Sequence, residues 1–181
     1  MSVAFCLPSQ SLALLQEGSN QIHLWELASR KLSALETTLR SPTFLCWAKH
    51  EPTLAVGDSR GNVLIYSKET RRKIPVMGLH SASVSTGIWR SDGTLCLGAE
   101  DETITLSDPQ GTIIERIEID GKPQDMRLSQ QKRGGGRRSS ITDGTSPPEA
   151  TLSVNAAGQN ILLLDLDEKS QQPIKLAFQV R

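Results

Sequence analysis

Short apolar runs, each bounded by turn residues, recur along the chain. The clearest is Val63–Tyr66, a run of β-branched and aromatic residues that follows Gly61 and Asn62. A run this short between residues that favour tight turns predicts a β-strand rather than a helix. A second run, Lys73–Met77, follows after a brief polar reversal and contains Pro75. Because proline cannot donate to a sheet ladder, this strand is predicted to lie at the edge of its sheet.

The strand pattern repeats at a constant spacing. Apolar strands begin at positions 21, 62 and 103, which are 41 residues apart, and a fourth copy begins at position 160 after a longer gap. A period of about 40 to 45 residues with four short strands per unit is typical of WD-repeat β-propellers. The sequence therefore predicts an all-β fold, a WD-repeat-like propeller fragment of about four four-stranded blades, at residues 1–40, 42–80, 83–122 and 125–181.

Four blades are the lower limit for a closed propeller. The sequence thus predicts an open arc that is part of a longer protein. An open arc would leave one sheet face uncovered at each end. The candidates for exposed apolar positions are Leu14 and Ile22 at one end, and Leu152 and Leu163 at the other.

One segment admits two interpretations. Residues 24–39 carry apolar positions at helical spacing as well as a strand-like run at Lys31–Leu35. The repeat places the fourth strand of the first unit there, so we expect a strand rather than a helix.

Residues 129–149 interrupt the fourth unit. This segment has almost no apolar content and cannot offset its ordering entropy by burial, so we expect a disordered basic insert. Its basic cluster is Lys132, Arg133, Arg137 and Arg138. The cluster would either form a solvated linker, which is the favoured interpretation, or contact nucleic acid or acidic lipid. The neighbouring Ser139 and Ser140 match the substrate pattern of basophilic kinases and are candidate phosphorylation sites.

Composition narrows the function classes. The 20 basic and 20 acidic residues balance to zero net charge, which does not favour nucleic acid or an anionic membrane as the partner. The three cysteines, Cys6, Cys46 and Cys96, lie in apolar runs without metal-binding spacing, so we expect reduced core thiols in an intracellular protein. No signal peptide and no apolar run of membrane-spanning length is recognisable, and the chain is predicted to be soluble and cytosolic.

Candidate chemistry is sparse. His23 alternates with apolar neighbours on a predicted strand, and His50 lies in a predicted loop. No histidines and carboxylates have metal-ligand spacing, and Gly134–Gly136 lacks the flanking strand and helix of a phosphate-binding loop. We therefore expect a binding platform rather than an enzyme, with no cofactor, metal or small-molecule substrate.

The central part of the chain resembles one family closely. The segments that carry the resemblance are Phe44–Trp47, Leu54–Gly57, Gly61–Tyr66, Thr70–His80, Gly87–Trp89 and Gly98–Ser107. Together they resemble the amino-terminal propeller of a WD-repeat subunit of intraflagellar transport complex A. The resemblance continues more loosely to Leu166, whereas residues 1–30 match only as a generic blade and the basic insert departs from the pattern.

The resemblance implies a structural hydrogen bond. In WD repeats the histidine of a Gly-His pair bonds an aspartate in the second turn, and His80 and Asp101 lie near these positions. The family's tryptophan position falls on Ser107, so the complete WD network is not expected.

The resemblance also implies a function. The family members are large scaffolds of two propellers and helical repeats that act in retrograde ciliary transport and in delivery of membrane proteins to the cilium. The implied partners are other complex A subunits and cargo adaptors, with only indirect membrane association and no nucleic acid. The implied locations are the cilium, at the axoneme and basal body, and the cytoplasm. The alternatives are another WD-like cytosolic adaptor, such as a vesicle-coat protein or ubiquitin-ligase substrate receptor, and a nucleic-acid-binding protein using the basic insert.

Overall fold

The computed structural model describes residues 2–129, 151–156, 160–166 and 174–177. These residues form strands and connecting turns, and they include no helix. The strands are β1 Ser2–Cys6, β2 Ser11–Leu15, β3 Gln21–Glu26, β4 Lys31–Glu36, β5 Pro42–Trp47, β6 Thr53–Asp58, β7 Val63–Ser67, β8 Lys73–Val76, β9 Val84–Trp89, β10 Leu95–Ala99, β11 Thr103–Ser107, β12 Ile113–Glu118, β13 Pro123–Ser129, β14 Thr151–Ala156, β15 Asn160–Asp165 and β16 Ile174–Ala177.

The strands form four antiparallel sheets, and each sheet follows chain order. Sheet 1 contains β1–β4, sheet 2 β5–β8, sheet 3 β9–β12 and sheet 4 β13–β16. The predicted all-β propeller architecture is confirmed. Lys31–Glu36 pairs with β3 along its full length, so this segment is a strand and not a helix.

The strand that contains Pro75 lies at the edge of its sheet. Strand β8 pairs only with β7 and is the outer strand of sheet 2. Pro75 lies opposite Leu64 in that pairing and is exposed. The prediction that Pro75 lies on an edge strand is therefore confirmed, and edge strands are where a sheet accommodates proline.

The sheets pack face to face in chain order. Contacts between neighbouring sheets are concentrated on their first strands: β1 contacts β5, β5 contacts β9, and β9 contacts β13. The first strands therefore lie innermost, around a common axis, and the outer strands lie at the perimeter. A separate apolar core fills each of the three junctions between sheets.

The inner sheets are covered on both faces, which explains the composition of their second strands. All five residues of β10 are buried, and so are the last five of β6. These strands carry leucine and valine toward one neighbour and small residues toward the other. Gly57 and Gly98 show how close that approach is, because a Cβ on either would overlap a side chain of the next sheet, Val84 or Pro123.

Each sheet presents a row of large apolar side chains toward the preceding sheet. The register aligns these rows as Trp47–Leu54–Tyr66 in sheet 2, Trp89–Leu95 in sheet 3 and Leu128–Leu152–Leu164 in sheet 4. The corresponding row in sheet 1 is Phe5–Leu12–Trp25–Leu32. No described sheet covers it, and Phe5 and Leu32 are 48% and 54% exposed. The arc is open at this end.

Two of the four residues expected on the open ends lie elsewhere. Ile22 and Leu152 are fully buried, whereas Leu14 and Leu163 are partly exposed. Ile22 pairs with Leu15 and not with Leu14, so it points to the opposite face of sheet 1. Leu152 likewise pairs with Leu164, while Leu163 lies opposite Ser153. A one-residue difference in register exchanges the two faces of a strand.

Candidate functional site

The residues singled out by the WD pattern meet at the junction between sheets 2 and 3. His80 lies in the loop between β8 and β9 and is 3% exposed. Gly78, with a φ of 67°, turns the chain after β8, and its amide donates to Asn62 Oδ1 at 2.9 Å. The His80 amide donates to the Gly61 carbonyl at 3.0 Å, which anchors the loop on the β6–β7 turn.

Both nitrogens of the His80 ring have polar neighbours. Nδ1 lies 3.2 Å from Asp101 Oδ1 and 3.0 Å from Thr103 Oγ1, and Nε2 lies 2.9 Å from Thr105 Oγ1. A neutral ring with the proton on Nδ1 satisfies all these groups, because Nδ1–H then donates toward Asp101 and Nε2 accepts from the Thr105 hydroxyl. We refer to Thr105, His80 and Asp101 as the buried relay.

Asp101 is held by donors from both sides of the junction. Its Oδ2 accepts from the Ser81 amide at 2.8 Å, and its Oδ1 accepts from the Thr103 hydroxyl at 2.8 Å and the Thr103 amide at 3.2 Å. Burial acts to raise the pKa of Asp101, but these hydrogen bonds and the nearby His80 outweigh it and hold the pKa below its ordinary value. The carboxylate is therefore ionised at neutral pH.

The His80 pKa is also lowered. Burial is the largest cause, because it disfavours the charged imidazolium, and Arg116 adds a smaller repulsion. Asp101 opposes the shift through its charge and its hydrogen bond, without reversing it. His80 is thus neutral at neutral pH, and its contact with Asp101 is a charge-assisted hydrogen bond rather than an ion pair.

Strand β12 closes the relay on its outer side. The Arg116 guanidinium donates to the Leu79 carbonyl at 2.6 Å and to Thr103 Oγ1 at 3.4 Å. Arg116 thereby links the outer strand of sheet 3 to the loop that carries His80. The relay adds to two other hydrogen bonds between these sheets, from the Thr43 hydroxyl to the Val84 carbonyl at 2.7 Å and from the Trp89 indole to the Cys46 carbonyl at 3.4 Å.

The relay has the atom order of a hydroxyl, imidazole and carboxylate triad, but not its accessibility. A nucleophilic hydroxyl must reach a substrate carbon, and Thr105 is fully buried. The buried relay is therefore a structural hydrogen-bond network at the junction between sheets 2 and 3.

Sequence reasoning missed Thr103 and Thr105. The two threonines alternate on β11 and so share the face directed at sheet 2. That alternation was readable from the sequence, but the depth at which the His80 ring enters the junction was not. Ser107, at the family's tryptophan position, is buried and lies 3.5 Å from the Leu95 carbonyl, outside the relay.

A second buried carboxylate was also missed. Asp58, 1% exposed, ends β6 and accepts from the amides of Arg60 and Asn62 at 2.8 and 2.9 Å. Its other oxygen accepts from the Arg40 amide at 3.3 Å, on the segment that links sheets 1 and 2. An aspartate that precedes a tight turn is the available signal for such a cap.

The remaining candidates do not join the relay. His23 lies on β3 opposite Leu14 and Ala34, and His50 is exposed between β5 and β6. Ser139, Ser140 and the basic cluster lie outside the described residues. The predicted insert begins at Ser129, which the structure instead places at the end of β13.

The described part of the chain contains neither a group of metal-ligand side chains nor a membrane-spanning helix. No three histidine, cysteine, aspartate or glutamate side chains in it are grouped as metal ligands. It also contains no helix that is long and apolar enough to span a membrane.

Comparison with known proteins identifies the family to which this chain belongs. Residues 7–181 match the model of the WDR19 first beta-propeller. The chain belongs to the WDR19 first β-propeller family. Over 169 residues it is 36% identical to WD repeat-containing protein 19 of Homo sapiens, with 93% of this chain and 12% of the relative covered. Over 183 residues it is 28% identical to WD repeat-containing protein dyf-2 of Caenorhabditis elegans, covering 99% of this chain and 12% of the relative.

A solved structure shares the architecture. A chain in the crystal structure of the mitotic checkpoint complex superposes with a TM-score of 0.73 at 19% sequence identity. The match covers 96% of this chain and 48% of the solved chain. This likeness concerns the fold alone. The chain spans 12% of the length of its WDR19-family relatives. WD-repeat propellers of this kind are generally non-catalytic scaffolds.

Proposed function

We propose that this chain is a non-catalytic protein-interaction scaffold of intraflagellar transport complex A. In this proposal it acts in retrograde ciliary transport and in the delivery of ciliary membrane proteins. The observation that carries the proposal is the family match over residues 7–181. The 36% identity to WD repeat-containing protein 19 supports it.

The chemistry of the described residues is in keeping with a binding role. The hydrogen-bonded pair of His80 and Asp101 lies inside the junction between sheets 2 and 3, where it stabilises the propeller. The surfaces left for function are the exposed edges of the sheets and the loops at the two ends of the arc. The proposed partners are other complex A subunits and cargo adaptors, and membranes are reached only through them.

The proposed locations are the ciliary axoneme, the basal body and the cytoplasm. The test is to tag the endogenous gene product in a ciliated cell, image it, and analyse what co-purifies. We expect signal along the cilium and at its base, and co-purification of complex A subunits. Signal that is uniform in the cytosol, with no complex A subunit recovered, contradicts the proposal.

A matched pair of variants separates binding from folding. Asp101→Asn weakens the relay and so lowers stability, whereas Lys122→Gln changes an exposed side chain. If recovery of complex A subunits depends on an intact propeller, Asp101→Asn should reduce it in proportion to the loss of folded protein. Lys122→Gln should leave it unchanged.

A further inference from the structure

The first strands of sheets 2, 3 and 4 share one irregularity. In each of them the pairing with the second strand shifts by one residue near the start of the strand, and the bulged residues are Thr43, Ser85 and Gln124. Each of these is the second residue of its strand. In sheet 1 the corresponding pairing runs from Ser2 to Cys6 without a shift. A β-bulge therefore recurs at the same place in three successive sheets around the axis.

Two of the bulged residues reach across to the next sheet. The Thr43 hydroxyl donates to the Val84 carbonyl at 2.7 Å, and the Ser85 hydroxyl donates to the Pro123 carbonyl at 2.6 Å. Each acceptor is the residue directly before the next bulged residue. We refer to these two hydrogen bonds as the axial latches. The bulge of one sheet thus holds the bulge of the next.

Each latch also has a second acceptor within its own sheet. Thr43 Oγ1 lies 3.5 Å from the Gly57 carbonyl oxygen, and Ser85 Oγ lies 3.2 Å from that of Gly98. A hydroxyl has one hydrogen, so it donates fully to one acceptor at a time, and the shorter distances place that hydrogen on the next sheet. When two sheets move apart, the hydroxyl can turn back to its own sheet. Each latch therefore has two hydrogen-bonded positions.

The two latches are joined through one peptide group. The Val84 carbonyl and the Ser85 amide belong to the same planar unit, so they move together. Val84 is fully buried, and the Thr43 hydroxyl fixes the orientation of its carbonyl. A rotation of this peptide group would carry the Ser85 side chain with it and change its distance to Pro123. The bulge of β9 is thus the mechanical link between the two latches.

We propose that the axial latches form a conformational relay around the axis of the arc. Loosening of the junction between sheets 2 and 3 passes through the bulge of β9 to the junction between sheets 3 and 4. Energetic coupling of this kind is reciprocal, so a change at the second junction also acts on the first. A ligand that draws sheets 2 and 3 together or apart would alter the far junction without touching it. The relay operates whichever partner the propeller binds.

A double-mutant cycle on the full chain tests the relay. Thr43→Val keeps the shape of the side chain and removes the first donor, and Ser85→Ala removes the second. Each should raise the unfolding equilibrium constant about threefold to tenfold, the net effect of one hydrogen bond. The combined variant should raise it by less than the product of the two single effects, because the loss of the first latch already displaces the second. Urea denaturation in dilute solution measures the four constants.

A matched serine provides the control. The Ser153 hydroxyl donates to the Arg127 carbonyl at 3.2 Å within sheet 4, so Ser153→Ala removes a similar bond outside the latches. Its effect should multiply with that of Thr43→Val. Thr43→Ser retains the hydroxyl, and Ser85→Ala should have its full effect in that background. An equal effect of Ser85→Ala in the parent and in Thr43→Val would overturn the proposal.

Native-state hydrogen exchange of the unsubstituted chain covers the case in which a variant fails to fold. The amides at the bulges of β9 and β13 should open with the same dependence on urea, because coupled segments open as one unit. Strand β1, whose pairing has no bulge, should open independently of them. Separate opening of β9 and β13, or opening of β1 together with both, would show that the latches are not a relay.

Discussion

At the scale of single residues, the buried relay adds hydrogen bonds to a junction whose core is apolar. Leu39 and Ile119 are buried in the apolar cores of the other two junctions, and Leu79 precedes His80 in the third. An apolar side chain stabilises a junction only through the apolar surface area that it buries there. His80 and Asp101 add directional hydrogen bonds, at the cost of burying two groups that must keep one protonation state each.

The burial of His80 and Asp101 predicts that the folded protein loses stability in acid. Because folding lowers the His80 pKa below 6.5, the unfolded chain binds a proton that the folded chain resists. Stability should be full above about pH 6.5 and should fall as the pH drops toward the folded pKa, by at most about 1.4 kcal/mol per pH unit from this group. Asp101, whose pKa is lowered from 3.8, adds a second loss below that value. Urea denaturation from pH 7.5 to 4.5 measures the slope.

Two variants assign the slope to His80. His80→Gln should be less stable than the parent at pH 7.5 and show a shallower pH dependence between pH 6.5 and 5. His50→Gln, which changes an exposed loop residue, controls for the loss of a histidine. A parental slope in His80→Gln would show that other groups cause the acid sensitivity.

The cysteines give a second residue-scale prediction. Cys6 and Cys96 are fully buried, and burial, with a smaller contribution from Cys96, raises the pKa of the Cys46 thiol. Thiolate is the reactive form, so the native protein at pH 8 should react slowly with Ellman's reagent. The denatured chain should react at all three cysteines. Rapid modification of Cys6 or Cys96 in the native protein would contradict their complete burial.

At the scale of elements, the turn between β6 and β7 packs closely against the loop that carries His80. Gly61 has a φ of 78°, and a Cβ there would overlap the His80 carbonyl group. Gly61→Ala should therefore cost about 3 kcal/mol or more, from left-handed strain and overlap with rigid backbone. The measurement is the free energy of unfolding in urea.

Gly78→Ala is the matched control. Gly78 also has a positive φ, 67°, but an added Cβ would meet nothing within 4 Å. This variant should cost only the strain of about 1 kcal/mol. Equal costs for the two substitutions would show that the contact between the turn and the His80 loop does not constrain Gly61.

Most elements were predictable from local pattern. The 41-residue spacing located the strands, and Pro75 identified an outer strand because its missing donor excludes interior positions. The faces of the end strands were not predictable. Whether Ile22 shares a face with Leu14 depends on the β2–β3 register, which turn geometry sets and the apolar pattern alone leaves open.

The site was predictable only in part. The resemblance to WD repeats pointed to His80 and Asp101, which the structure brings to 3.2 Å. The alternation of Thr103 and Thr105 was readable from the sequence, but it did not show that Thr105 meets His80, which lies in the loop between β8 and β9. One cavity is lined by residues from all four sheets, so only the assembled arc shows that Phe5, Trp47 and Arg127 lie around it.

At the scale of the whole molecule, the four sheets form an open arc with an uncovered face on sheet 1. The row that sheets 2 to 4 bury against a neighbour is exposed in sheet 1, where Val3, Phe5 and Leu32 are 52%, 48% and 54% exposed. Repeat proteins gain stability from each interface between units, so an unmade interface leaves both lower stability and a surface prone to association.

The uncovered face predicts self-association of the 181-residue chain in isolation. Replacing Val3 and Leu32 together by lysine should suppress association, because charges on this face oppose its burial. Met77→Lys changes an apolar side chain that is 70% exposed on the perimeter of sheet 2, and it should not suppress association.

Sedimentation velocity across a hundredfold concentration range, together with thermal unfolding by circular dichroism, shows whether the arc is open. We expect a sedimentation coefficient that rises with concentration, a broad unfolding transition at low temperature, and a monomer after the double lysine substitution. A monodisperse monomer at every concentration, with one sharp high-temperature transition in the unsubstituted chain, would contradict the open arc.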